Sequence, residues 1–247
     1  MLIDLFLCVM IRINIFATHL VICYYTKLEV YNFADSYEVG KKMKYGIIGA
    51  VMPLIMDRVT YKYLENSGVK VTSEFKKKVK KEYKAMIART PGLAKGNSLE
   101  KTLYIGCYLL AFHKAYPDIV TESCFEGLMK TLCDEMVKRG KEDDSAISEK
   151  SIREKEESAK KSQTSKYEMD WVSTFKRGED GNSYEFTYTK CGLCELGRRE
   201  GCFQLIKYLC KTDYISYDLG GAKLIRDHTI ANGDGYCDFK VYRKDKR

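Results

Sequence analysis

The hydrophobic period of this chain changes once, and that change restricts its fold. Ile47, Ile48, Val51, Leu54, Ile55, Val59 and Leu64 recur at helical spacing and end at Asn66-Ser67-Gly68. Thr72-Ser73-Glu74 opens a second helical run through Phe75, Val79, Tyr83, Met86 and Ile87, stopped by Thr90-Pro91-Gly92. Asn97-Ser98-Leu99-Glu100 starts a third, whose stretch from Leu103 to Phe112 is apolar almost all round and is therefore expected at the centre of a helical half. Thr121-Glu122-Ser123 opens a fourth, with Phe125, Leu128, Met129 and Leu132 inward.

Beyond Lys166 the pattern alternates at two residues. Tyr167, Met169, Trp171, Ser173 and Phe175 are expected on one face of a strand. A turn at Arg177-Gly178-Glu179-Asp180-Gly181-Asn182 leads to Tyr184, Phe186 and Tyr188 on the facing strand. Cys191 to about Leu219 reads as helix with a break at Gly201. Lys223 to Ile230 reads as strand, Ala231 to Gly235 as turn, and Tyr236 to Tyr242 as a last strand. The expected fold is α+β, an N-terminal helical half packed on a C-terminal antiparallel sheet of β-β-α-α-β-β order.

The expected boundaries are a helical half over 43–138, a charged linker or surface helix over 139–166, and a cysteine-rich half over 167–247, with 43–247 forming one domain. Residues 1–42 are expected to be an apolar extension outside the fold. Asp4 stands where a signal peptide carries positive charge, and Arg12 interrupts the apolar run, so membrane contact is not expected.

The formal charge of +8 has local sources. Lys76, Lys77, Lys78, Lys80 and Lys81 cluster on one run, and the tail Arg243-Lys244-Asp245-Lys246-Arg247 adds more. Neither accompanies a nucleic-acid motif, so both read as solvated surface and nucleic acid is not an expected partner. The expected partner is a small molecule, and the sequence leaves the oligomeric state open. The ten cysteines are not spaced as a small secreted disulfide scaffold, which points to a reducing, cytoplasmic setting. Cys8, Cys23, Cys107, Cys124 and Cys133 lie in apolar helical runs and read as small buried hydrophobes.

Five thiols remain, at Cys191-Gly-Leu-Cys194, Cys202, Cys210 and Cys237. As metal ligands they are poorly arranged. Cys202 and Cys210 on one helix would stand about 12 Å apart along the axis and about 80° out of phase. A break at Gly201 leaves a set of Cys191, Cys194, Cys210 and Cys237 for Zn or an Fe–S cluster, although the sequence requires no cofactor. As catalytic groups, Cys210 and Asp213 share a helical face and Cys237 precedes Asp238 on a strand, where only one of those two can face a pocket. A thiolate needs a positive charge or base nearby, and Lys190, Arg198, Arg199, Arg226 and His228 are the candidates. Arg226 and His228 fall on one face of the expected strand, and Asn232-Gly233-Asp234-Gly235 reads either as an ordinary hairpin turn or as one whose amides hold an anion.

Several separate blocks together carry a likeness. Cys191-Gly-Leu-Cys194-Glu-Leu, Arg199-Glu-Gly201, Tyr208-Leu-Cys210-Lys-Thr-Asp213-Tyr214, Leu224-Ile-Arg226, Thr229-Ile-Ala-Asn-Gly233 and Cys237-Asp-Phe239 resemble the L-2-amino-thiazoline-4-carboxylic acid hydrolase family. Pro91 to Leu99 and Trp171 fit the same pattern. The resemblance implies hydrolysis of a non-peptide C–N bond in a small cyclic amidine, opening 2-amino-thiazoline-4-carboxylate to a carbamoyl-cysteine. It places recurring polar residues at Cys191, Cys210, Asp213, Thr229, Gly233, Cys237 and Asp238. It also implies a likeness to 4-vinyl reductase-type ligand-binding domains, with a pocket between helical half and sheet. His228 replaces the more usual lysine, and Gly235-Tyr236 precedes the Cys-Asp-Phe in place of an acidic or small pair. The expected roles are attack by Cys210 or Cys237, proton handling by Asp213 with Cys191 in the same cluster, and substrate binding by Arg226, His228, Thr229, Gly233 and Asp238. The alternative is a non-catalytic small-molecule or metal sensor.

Overall fold

The apolar run from Leu103 to Phe112 forms the third of four helices in a computed structural model that describes residues 41–94, 97–179 and 181–244. These are α1 Gly46–Asn66, α2 Ser73–Arg89, α3 Glu100–Ala115 and α4 Glu122–Arg139. As its all-round apolarity requires, α3 is central: Leu103, Cys107, Leu110, Ala111 and Phe112 are fully buried. Its two buried tyrosines keep their hydroxyls paired, Tyr104 donating to the Lys44 carbonyl at 2.6 Å and Tyr108 to Asp57 at 2.7 Å. The lysines of α2 lie on its exposed face, while Phe75, Val79, Tyr83, Met86 and Ile87 face the core. Residues 1–40 of the expected extension lie outside the described residues; Lys41 and Lys42 run against Pro91 and Gly92. No helix among the described residues is long and apolar enough to cross a membrane.

The charged segment read as linker or surface helix is helical. A short 3₁₀ turn at Ser145–Ile147 leads into α5, Glu149–Ser162. Its N-cap Ser148 accepts the Ser151 amide at 3.3 Å, and Ile152 and Ala159 turn inward. Gln163, just after the helix, donates to the Ser173 carbonyl at 2.6 Å and ties α5 to the sheet.

The C-terminal half runs β1 Val172–Arg177, β2 Ser183–Lys190, α6 Gly192–Glu200, α7 Phe203–Leu209, α8 Lys211–Leu219, β3 Ala222–Ile225 and β4 Cys237–Arg243. The strands form one antiparallel sheet in the order β1-β2-β4-β3. Register places Phe175 opposite Phe186, Phe186 opposite Phe239 and Tyr188 opposite Cys237, so one face is aromatic. The first strand is shorter than expected, because Tyr167, Met169 and Trp171 precede it. The helix between Gly201 and Leu219 is split at Cys210, which ends α7 and begins α8. The strand expected to reach Ile230 ends at Ile225, because Asp238 and Asp234 draw the following amides into a loop. The observed order is thus β-β-α-α-α-β-β.

Candidate active site

A cavity of about 130 Å³ lies between α3, the aromatic face of the sheet and the α7–α8 junction. Ile105 and Leu109 line it from α3, and Phe186, Tyr188 and Phe239 from the sheet. Cys191, Cys210, Asp213, Arg226 and Cys237 meet on its wall. Of the expected site residues, those five are brought together.

Cys191 stands at the N-cap of α6, where the helix presents unpaired amides. The Cys194 thiol hydrogen-bonds to Cys191, and with the Cys194 and Leu193 amides it holds the Cys191 thiol below its ordinary value against the opposing effect of burial. The same hydrogen bond, with burial, pushes Cys194 up. The CxxC spacing therefore concentrates thiolate character on its first cysteine. Gly192 permits the arrangement, since a Cβ there would meet the Met169 carbonyl oxygen at 2.1 Å and the Trp171 ring at 2.7 Å.

The other two thiols are held above their ordinary values. Burial, then the Asp213 charge, pushes Cys210 well above its ordinary value. Burial pushes Cys237 up to about 11, and its sulfur accepts the Ile230 amide at 3.2 Å. Of the three cavity thiols, only Cys191 is held below its ordinary value.

Asp213 is half-buried beside Arg226, which donates Nη1 to its Oδ2 at 2.7 Å and Nη2 to the Cys210 carbonyl at 2.9 Å. Burial holds the Asp213 carboxyl above its ordinary value, with Arg226 and Lys155 opposing. Arg226 has a side chain 3% exposed, sandwiched between Tyr214 and Phe239 with its guanidinium 4.9 Å from each ring. Its Nε is buried without a hydrogen-bond partner.

His228, Thr229, Gly233 and Asp238 do not line the cavity. Asp238 accepts the backbone amides of Asp227 at 3.0 Å and His228 at 2.6 Å, which holds its carboxyl below the ordinary value despite burial. The Thr229 amide donates to Asp234 at 2.7 Å, and Gly233 closes the turn at φ 100°. His228 turns outward with its side chain 46% exposed, against Tyr236. These residues shape the loop that carries Arg226 and leads to Cys237. Because β3 stops short, Arg226 and His228 do not share a strand face.

Among the described residues no group of three or more His, Cys, Asp or Glu side chains is placed to hold a metal ion. Cys191, Cys194, Cys210 and Cys237 do not fit Zn or an Fe–S cluster. Lys155 of α5 was not among the residues singled out from the sequence. Its ammonium lies 5.1 Å from the centre of the Phe186 ring and 5.4 Å from that of Tyr217. The signal was there: Lys155 falls three residues after Ile152 and four before Ala159, on the buried stripe of a helix whose composition suggested solvent.

Fold and cavity define an α+β protein with a thiol-lined cavity. Residues 97–241, more than half of the chain, match the family model of L-2-amino-thiazoline-4-carboxylic acid hydrolase. The chain belongs to that family, which supports hydrolase-like function in general. No curated protein and no solved structure matches it.

Proposed function

We propose that the protein hydrolyses a C–N bond of a small cyclic amidine such as 2-amino-thiazoline-4-carboxylate. The observation that carries this reading is the Cys191 sulfur, favoured as thiolate at the start of α6 and facing a small cavity that also holds Asp213. Family membership supplies the reaction class.

In the proposed mechanism the Cys191 thiolate attacks the ring carbon between the sulfur and the two nitrogens. This forms a C–S bond and places the electron pair on nitrogen. An amine leaves only as its protonated form, so opening the ring C–N bond needs an acid. Asp213, raised by burial, is the proton carrier beside the thiol. Water then displaces Cys191, regenerating the thiolate and leaving a carbamoyl-cysteine with the former ring nitrogen as its free amine. Arg226 acts through Asp213 by fixing its position and charge.

The test is turnover of 2-amino-thiazoline-4-carboxylate with mass spectrometry and thiol titration of the product. Cys191→Ser is expected to lower kcat/KM by about three orders of magnitude, and Cys237→Ser by far less. Full turnover by Cys191→Ser would overturn the nucleophile. A free thiol in the initial product would show opening at the C–S bond and overturn the C–N assignment.

A further inference from the structure

The cavity needs a second cation if its ligand is an anion. Arg226 is the one Lys or Arg on its wall among the described residues, and both terminal nitrogens are already given to Asp213 and the Cys210 carbonyl. Its guanidinium is thus held by protein acceptors, with Nε buried and unpartnered. With Asp213 as the acid and Cys191 as thiolate, the wall carries a negative sulfur and one arginine already engaged by protein acceptors. A substrate carboxylate added there would find no uncommitted cation on the wall.

Lys155 does not line the cavity but rests over Phe186, which does. It is half-buried, its ammonium rests over Phe186 and Tyr217, and its charge is felt at Asp213. No carboxylate among the described residues lies within ion-pair distance of it, whereas Arg177 on the neighbouring strand pairs with Glu149 and Glu156 of the same helix. Such an ammonium, held over ring faces and left without a counter-ion, is ready for an incoming anion. Burial has drawn its pKa down to about 8, with Asp213 and Glu154 opposing, so pairing would restore charge stabilisation it now lacks.

We propose that Lys155 binds the anionic group of the substrate, taking the carboxylate of a small cyclic amidine whose reacting carbon lies at Cys191. This rests on the hydrolase reading above and adds a specificity residue from a helix outside the cysteine-rich half. The class of ligand is a small zwitterion with an amidine at one end and a carboxylate at the other. The flexible four-carbon stem of lysine allows the ammonium to follow the carboxylate into the cavity.

The experiment compares 2-amino-thiazoline-4-carboxylate with 2-amino-thiazoline, the same ring without the carboxylate. Dissociation constants are measured by calorimetry on the full chain in the Cys191→Ser background, and KM and kcat with Cys191 present, for the Lys155 protein and for Lys155→Gln and Lys155→Arg. Lys155→Gln is expected to weaken binding of the carboxylate ligand about 10- to 100-fold, to change binding of the plain ring by less than about twofold, and to act mainly on KM. Lys155→Arg is expected to restore part of the loss. Equal losses for both ligands would make the role structural and overturn the proposal, as would no loss at all. Lys155-dependent binding without turnover would refute the hydrolase reading and leave the anion site standing. Turnover with an unchanged KM in Lys155→Gln would do the reverse, and binding of neither ligand would refute both.

Discussion

Three cavity thiols differ in their availability as nucleophiles, and the difference comes from a few ångströms of local structure. Cys210 and Cys237 face the cavity, yet burial keeps their protons on. Cys191 is also enclosed but receives three donors, one of them the Cys194 thiol. The proposed division of labour therefore predicts a measurable order of reactivity. Alkylation by iodoacetamide, followed residue by residue with mass spectrometry from pH 5 to 10, is expected to label Cys191 with a midpoint below the ordinary cysteine value of about 8.5. A lowered pKa means the thiolate persists as pH falls, so Cys191 labelling is expected to be the last lost in acid. Cys194→Ala removes a donor and is expected to move that midpoint upward. A midpoint for Cys191 at or above those of Cys210 and Cys237 would refute the assignment. Residue spacing made the five thiols visible and exposed the poor metal geometry of Cys202 and Cys210. It did not separate their protonation states, because those depend on which helix amides and charges surround each sulfur.

At the scale of elements, α6 aims the site. It begins immediately after Cys191, so the residue that starts the helix must let the chain pass close under Trp171 and the segment before β1. Gly192 does this with no side chain, at a position where a Cβ would lie 2.1 Å from a backbone oxygen. Gly192→Ala would ordinarily favour a helix by up to about 1 kcal/mol. Here the backbone clash is expected to dominate, destabilising by about 1–3 kcal/mol and displacing Cys191 from its donors. Urea unfolding together with the Cys191 alkylation rate checks both effects; an unchanged midpoint and unchanged rate would show that the chain accommodates the methyl group. Periodicity identified α1 to α4, the paired aromatic strands and the last strand, since each has a clear apolar face. It could not find the early end of β3, which Asp234 and Asp238 impose through hydrogen bonds to amides five to eleven residues away. Nor did composition disclose Lys155 beside the site, because charged residues hide the stripe formed by Ile152, Lys155 and Ala159.

For the molecule as a whole, the helical half must be locked to the cysteine-rich half for a cavity between them to persist. Part of that lock is apolar, with Gly106 of α3 so close to Leu193 and Leu196 of α6 that an added Cβ would lie 2.6 and 2.9 Å from them. Part is polar and sits at the far end of α6. Arg89 of α2 donates Nε to Glu200 at 2.7 Å and Nη2 to its other oxygen at 2.5 Å, and Lys114 of α3 donates to the Glu200 carbonyl at 2.7 Å. The Glu200 side chain is 5% exposed and that of Arg89 41%, so removal of the carboxylate leaves a guanidinium that can turn to water. The loss is accordingly expected to be smaller than for a fully buried pair, about 1–3 kcal/mol for Glu200→Ala. The motif Arg199-Glu200-Gly201 was legible as part of the family likeness, but its partner stands 111 residues earlier and no local pattern links the two. Glu200→Ala is expected to lower the urea midpoint while keeping turnover within about threefold at temperatures where the protein stays folded, since Cys191 keeps its own donors at the opposite end of the helix. A fall in turnover as large as that of Cys191→Ser, with no change in the unfolding midpoint, would mean that Glu200 acts on the chemistry and not on the joint between the halves.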